Sequence, residues 1–243
     1  MALLEAIGIS KSFLFHKQWV KVLADLAFEI SEGEFVSIIG SSGCGKSTLL
    51  ELFAGITAPD SGSIILAGEE ITGRSGLLGY MPQEDLLFPW LSTRQNALLP
   101  AKIKHHDLKQ AKAKIEDLLP VFGLEKHADL LPYQLSGGLK QRVALLRTYM
   151  IGSRLLLLDE PFASLDALTR MQMQDWLQEI QSRLKLTIIL VTHDIREALR
   201  LSDRIELMEK NPGRFVQSYK LEPEIKDQPS SMDSLLQEIL SKF

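Results

Sequence analysis

The chain has one cysteine, Cys44, in 243 residues. A single thiol can neither close an internal disulfide nor build a thiolate metal cluster, so a disulfide-stapled scaffold is excluded and a reducing compartment is expected. A basic excess is also missing: 27 Lys and Arg stand against 31 Asp and Glu, a formal net charge of −4. Neutralising nucleic-acid phosphates takes clustered positive charge, so no nucleic-acid partner is expected and any phosphate must be held locally. No apolar run approaches the roughly 18 residues that cross a bilayer. The start, MALLEAIGISKSF, has no basic segment ahead of a long apolar core, so no signal peptide is expected. A membrane role would therefore run through a partner. Internal repeats and low-complexity segments are absent too.

What is present is an ordinary globular composition, 45% hydrophobic and 24% charged, large enough to bury a substantial core. Residues 34 to 39 (EFVSII), 155 to 159 (LLLLD) and 187 to 192 (TIILVT) are short apolar runs, each followed by Gly or polar residues. Such runs suit strands buried on both faces. Helix-length segments lie between them, at Lys46 to Phe53, Gln141 to Met150 and Thr169 to Leu184. The core therefore reads as an α/β layered domain with a largely parallel sheet. The first 30 residues and Gly62 to Leu66 read as short strands with turns, an antiparallel side sheet. Residues 86 to 150 break the rhythm with one Lys-rich helical stretch, Ala101 to Leu119, and another opening after Gly138. They are expected to form a helical subdomain inserted in the core. At the end, 230 to 243, Ser230 and Asp233 have capping-box spacing, and Met232, Leu235, Leu236, Ile239, Leu240 and Phe243 share one helical face. That face is expected to dock on the domain.

The strongest local pattern is GSSGCGKST, Gly40 to Thr48, matching G-x-x-x-x-G-K-[ST] between an expected strand and an expected helix. Gly40, Gly43 and Gly45 let backbone N–H groups curl around phosphate, and the helix amino terminus adds a favourable dipole. Lys46 would reach the β- and γ-phosphates, and Ser47 would ligate Mg²⁺. Ser41, Ser42 and Cys44 belong to this nucleotide-binding loop; Cys44 lies at a variable position, where a structural or incidental role is expected ahead of a catalytic thiol. A second pattern ends the LLLLD strand in adjacent carboxylates, Asp159 and Glu160. Ligands gather outside the carboxyl ends of such strands, so one acid can hold Mg²⁺ and the next can orient or deprotonate an attacking water. The TIILV strand likewise ends near His193, a candidate γ-phosphate contact. A lone Asp-Glu pair or a lone histidine is more often a solvated terminus or a structural group. Beside a phosphate loop the functional reading prevails.

These features describe a P-loop NTPase; LSGGLKQR, Leu135 to Arg142, narrows it. Ser136, Gly137 and Gly138 make a second side-chain-poor turn at a helix start, a second anion site that suggests service to a neighbouring copy. On these motifs the chain resembles an ABC transporter ATPase subunit from about residue 5 to about residue 220. The resemblance implies a P-loop core of ABC type with an antiparallel β subdomain and an inserted helical subdomain, a single ABC domain over 1–243. It makes Gly40 to Thr48 the Walker A loop, Gln83 in YMPQEDLL the Q-loop glutamine on the metal and phosphates, and LSGG the signature. Asp159 becomes the Walker B aspartate, Glu160 the catalytic glutamate, Ser164 to Asp166 the D-loop and His193 the H-loop histidine. The adenine-stacking aromatic would be Phe13, with Phe15 and Trp19 as alternatives. Leu139, where Gln is commonest, and LRT at Leu146 to Thr148 depart from the family pattern without removing a phosphate contact.

The resemblance further implies that two copies sandwich two ATP molecules with Mg²⁺, each between one Walker A loop and the opposite signature. GCGKST, LLFPWLSTRQNALLP, DEPFASLDALTR and THDIREALRLSDRIELMEKNPGRF resemble the importers for nitrate, sulfonate, taurine and thiamine-precursor pyrimidines. The partners so implied are transmembrane permease subunits and, indirectly, an extracytoplasmic solute-binding protein, with this chain peripheral at the cytoplasmic face. The rival reading is a soluble ABC ATPase acting on nucleic acid or ribosomes. Such relatives carry two cassettes or a long coiled-coil insertion, whereas 90 residues separate Lys46 from Ser136 here with no heptad run. A P-loop kinase would leave LSGG without a purpose.

Weaker features fall to ordinary explanations. His105 and His106 are adjacent and point apart, whereas metal pairs want i, i+4 spacing. Lys102, Lys104, Lys109, Lys112 and Lys114 are interleaved with acids, a mixed surface. LLFPWL, Leu86 to Leu91, is a run of large apolar residues just after Gln83. Beside a Q-loop it is expected to form a groove for a short permease helix, with Phe88 and Trp90 as anchors.

Overall fold

The computed structural model describes residues 2–222 and 229–242. It divides into two compact units, one running to Gly76 and resuming at Thr187, the other spanning Leu77–Leu186.

In the first unit, β1 (Ala2–Phe15) and β2 (Gln18–Ser31) form one long antiparallel hairpin. The expectation of short strands fails here because the turn is compact: His16 and Lys17 both take positive φ, 46° and 65°, the backbone that a two-residue hairpin loop requires. β4 (Ser61–Leu66) pairs with β1 on its other edge and with β5 (Glu69–Glu70), completing a four-stranded antiparallel sheet. β3 (Phe35–Ile39) is buried along its whole length and lies parallel to β8 (Thr187–Thr192) and β9 (Arg204–Glu209). Burial on both faces explains why its sequence is continuously apolar. β10 (Arg214–Lys220) adds antiparallel to β9. Helices α1 (Lys46–Phe53), α6 (Ile195–Leu201) and α7 (Pro229–Leu240) complete the unit. Met232, Leu235 and Leu236 of α7 pack with the fully buried Ile239 against Ala198, Leu199 and Tyr219. Leu240, expected on the same face, is exposed. Phe243 and the side chain of Ser230 lie outside the described residues.

In the second unit, β6 (Gly79–Met81) runs parallel to the fully buried β7 (Leu155–Asp159). The expected helical stretch from Ala101 to Leu119 is two helices, α2 (Thr93–Ile103) and α3 (Leu108–Val121). His105 breaks the path with φ 54°, and Asp107 restarts it by accepting from Lys109 N at 2.8 Å. His105 and His106 thus lie in a turn, not on a helix face. Ser92 and Gln95 make a reciprocal capping box at the start of α2. α4 (Gly137–Tyr149) and α5 (Ala167–Leu184) follow, capped by Ser136 and Asp166. The Arg142 guanidinium lies 4.7 Å from the Trp176 ring centroid, joining α4 to α5.

Candidate functional site

In the first unit, the chain leaves β3 at Ile39 and turns through 40–45 into α1. The path is tight at both ends. A Cβ on Gly40 would run into the Met208 carbonyl, and one on Gly45, at φ 103°, would lie 2.8 Å from Leu23 Cδ2. No side chain caps α1, so its first N–H groups and its dipole are disposed to meet an anion. Lys46 is buried beneath the loop, its ammonium donating to Gly40 O at 2.7 Å and Ser41 O at 3.1 Å. Ser42, Gly43 and Ser47 are exposed, while Ser41 and Thr48 are half-buried. Cys44 is buried, and desolvation pushes its thiol pKa up against the opposing charge of Lys46. It is a packed side chain whose burial disfavours the thiolate.

Phe13, Phe15 and Trp19 stand near the tip of the β1–β2 hairpin, 39%, 64% and 73% exposed. The Lys11 ammonium lies 5.4 Å from the Phe13 ring centroid, and Phe15 meets His16 edge-on. At the end of β8, the Thr192 hydroxyl donates to the buried Glu197 carboxylate and accepts from Asp194 N at 3.0 Å. Asp194 in turn accepts from Arg196 N at 2.9 Å at the start of α6. His193 is exposed between these two fixed residues. Sequence reasoning missed Glu197, whose only signal was an acid on the buried side of α6.

In the second unit, β7 delivers Asp159, buried, and then Glu160 at φ 45°. A left-handed backbone at a glutamate is uncommon and costs energy, and such residues cluster at functional turns. Pro161 and Phe162 are buried behind it. Asp166 caps α5, accepting from Thr169 N at 3.0 Å and Thr169 Oγ1 at 2.7 Å. Those bonds hold its carboxyl below the usual carboxylate range. Ser136 accepts from Leu139 N at 3.4 Å and starts α4. A Cβ on Gly137 would lie 3.1 Å from Leu165 Cδ2, and one on Gly138 3.1 Å from Thr169 Cγ2. The Ser136–Gly138 turn is therefore packed directly against the segment holding Ser164 to Asp166.

Gln83 is exposed after β6 and lines a cavity of about 620 Å³ with Glu84, Asp85, Leu86, Gln141, Ala163 and Ser164. The following loop is held from behind. Arg147 donates to Asp85 O at 2.6 Å and to Leu86 O at 2.7 Å. Asn96, buried, bonds the backbone of Phe88, Leu91 and Ser92. LLFPWL splits accordingly: Leu87 turns inward while Leu86, Phe88, Pro89 and Trp90 face outward. Asn96 and Arg147 were not singled out from the sequence, because their partners are backbone groups that leave no side-chain pattern. Among the described residues no group of three or more His, Cys, Asp or Glu side chains forms a metal site by itself. No helix among them is long and apolar enough to cross a membrane.

Residues 23–163 match the ABC transporter family. The chain is 42% identical over 208 residues to the aliphatic sulfonates import ATP-binding protein SsuB of Bacillus cereus, covering 86% of this chain and 82% of that one. It is 41% identical over 217 residues to the formylaminopyrimidine import ATP-binding protein ThiZ of Halalkalibacterium halodurans, covering 89% and 85%. Among solved structures, it is similar to the dimeric post-hydrolysis state of the ATP-binding cassette MJ0796 bound to ADP and Pi. That likeness has a TM-score of 0.77 at 27% identity and covers 90% of this chain and 99% of that one.

Proposed function

The chain belongs to the ABC transporter family and is an ATP-binding, ATP-hydrolysing subunit of the import type; from that premise we propose how its residues divide the work. The observation that carries the import reading is the match of sulfonate and formylaminopyrimidine import ATP-binding proteins to most of the chain. The same relatives disfavour a soluble ATPase acting on nucleic acid or ribosomes.

Gly40 to Thr48 cradles the ATP phosphates with backbone N–H groups, and Lys46 exchanges its loop carbonyls for the β- and γ-phosphates. The fit rests on the uncapped α1 and on the two glycines whose Cβ positions are already filled. The Ser47 hydroxyl, the Asp159 carboxylate and the Gln83 amide oxygen are hard oxygen donors of the kind Mg²⁺ takes while keeping waters and phosphates. Mg²⁺ supplies charge neutralisation at the β- and γ-phosphates when ATP is bound. Glu160 orients and deprotonates the attacking water, and its positive φ supports a dedicated placement. His193 contacts the γ-phosphate. One aromatic of Phe13, Phe15 and Trp19 stacks on adenine.

Ser136, Gly137 and Gly138, with Asp166 behind them, serve the nucleotide of a second copy in an ATP-sandwich homodimer. Residues 86–150 act as the inserted helical subdomain of a single ABC domain over 1–243, and 230–243 as a docked amphipathic helix. The outward face of Leu86 to Trp90 receives a permease segment at the cytoplasmic side of the membrane. Solute choice lies with the permease and an extracytoplasmic binding protein.

The test is Glu160→Gln, whose amide keeps the shape but cannot take a proton. With ATP the variant should elute as a dimer and turn over at least about a hundredfold more slowly. Adding Ser136→Arg should return it to monomer while sparing nucleotide binding. Hydrolysis by Glu160→Gln within about threefold of the parent would remove Glu160 as the base. Dimers that persist with Arg at 136 would remove the trans role of the signature.

A further inference from the structure

Gln141 stands on the first turns of α4, in LSGGLKQR, and none of the roles above uses it. It is 5% exposed, and its Oε1 is a buried acceptor with no hydrogen-bond donor among the described residues. A buried carbonyl oxygen left unpaired is costly, and each such atom calls for an explanation. Gln141 lines the cavity whose other walls come from Gln83 to Leu86 and from Ala163 and Ser164. Of the side chains there, the Glu84 and Asp85 carboxylates only accept, so the side-chain donors that line the cavity with Gln141 are the Gln83 amide and the Ser164 hydroxyl.

The Gln83 carboxamide has two ends with opposite chemistry. Its oxygen can ligate a divalent cation or accept from water, whereas its NH₂ end can only donate. Which end meets the nucleotide depends on what holds the other. The backbone two and three residues further on is already fixed by Arg147 at Asp85 O and Leu86 O. We propose that Gln141 is a positioning residue: across the cavity its Oε1 accepts from Gln83 Nε2 and so presents Gln83 Oε1 to Mg–ATP. The bond pairs the orphan acceptor and selects one of the two orientations of the Gln83 amide. The inference rests on the reading of Gln83 as a metal-directed residue.

The experiment measures steady-state ATPase of the full chain against Mg²⁺ concentration for Gln141→Met, Gln141→Glu, Gln83→Ala and the Gln83→Ala/Gln141→Met pair. Methionine keeps the shape and removes the acceptor; glutamate keeps the acceptor. Gln141→Met is expected to lower kcat about fivefold and to raise the Mg²⁺ needed for half-maximal rate, with ATP affinity in EDTA unchanged. Gln141→Glu should stay within about twofold of the parent. In the Gln83→Ala background Gln141→Met should add nothing. Additive losses, an unmoved Mg²⁺ profile, an equal loss in Gln141→Glu, or coupling to Ser164→Ala in place of Gln83→Ala would each overturn the proposal. A collapse of melting temperature in Gln141→Met and Gln141→Leu alike would assign Gln141 to core packing and overturn it as well. Gln83→Ala with the parent's turnover and Mg²⁺ dependence would instead remove the reading on which the proposal rests.

Discussion

The carboxamide of Asn96 holds Phe88 by both backbone groups: its Oδ1 accepts from the Phe88 N–H at 2.9 Å and its Nδ2 donates to the Phe88 carbonyl at 3.2 Å. The same Nδ2 reaches Leu91 O at 2.8 Å and Ser92 O at 3.2 Å. A buried amide on α2 thus sets the path of the loop that carries the outward aromatics. Asn96→Leu keeps the volume and strands these backbone groups, so it should cost about 2–4 kcal/mol. Urea denaturation measures this as a lower midpoint. A loss under about 0.5 kcal/mol would mean that the loop is held by other contacts.

Lys46 bonds two loop carbonyls and the Cys44 sulfur, all neutral groups, so none of these bonds is an ion pair that has to be broken when a phosphate arrives. Lys46→Ala removes the only positive side chain of the loop and should weaken ATP binding at least tenfold, about 1.4 kcal/mol, as titration calorimetry would show. Unchanged affinity would take Lys46 out of the phosphate site.

Asp60 ties the strand entering β4 to the hairpin. Its Oδ1 pairs with Lys11 Nζ at 3.0 Å and its Oδ2 accepts from Ser12 N at 2.6 Å. Lys11 and then the Ser12 N–H hold the carboxyl below its ordinary value of 3.8. The unfolded chain therefore binds the proton more readily, so this stabilisation is present above the ordinary carboxylate range and is lost as pH falls through the folded-state pKa. The carboxylate is solvent-exposed, so the effect is small. Asp60→Asn should flatten the fall of melting temperature below about pH 4. Acid slopes that run parallel for the two proteins would remove Asp60 from the linkage.

The parts of this fold that were legible in the sequence are those written in neighbouring residues. Phe35 to Ile39 and Leu155 to Leu158 read as buried strands because both faces are covered, and Gly40 to Gly45 reads as a strand-to-helix loop because its glycines and flanking apolar runs are contiguous. The length of the β1–β2 hairpin is hidden in the sequence because His16 and Lys17 carry its tight turn without the Gly or Asn that signals one. The break between α2 and α3 was hidden for the same reason, although Asp107 was an available capping signal. Asn96, Arg147 and Glu197 stayed silent because they act on groups that sequence spacing does not reveal. Arg147, for example, reaches carbonyls 61 and 62 residues away. The buried, unpaired oxygen of Gln141 became visible only once its surroundings were known.

Trp90 is 69% exposed, and it meets Phe88, 42% exposed, edge-to-face with ring centroids 5.3 Å apart. Leu86 and Pro89 are exposed beside them, and Leu87 alone of the central residues is buried. A contiguous apolar cluster on a firmly held loop marks an interaction surface more often than core packing. Because Trp90 contributes little to the interior, Trp90→Ala should change stability by less than about 0.5 kcal/mol and leave ATP binding intact. At an interface a large aromatic anchor is worth about 2 kcal/mol or more, roughly a thirtyfold loss of affinity. Co-purification of the detergent-solubilised permease with the tagged subunit should fall accordingly, together with transport-coupled hydrolysis. Phe88→Ala serves as the partly buried control and should lose both some stability and association. Normal assembly and transport by Trp90→Ala, or unfolding of the isolated variant, would replace the docking role of Trp90 with core packing.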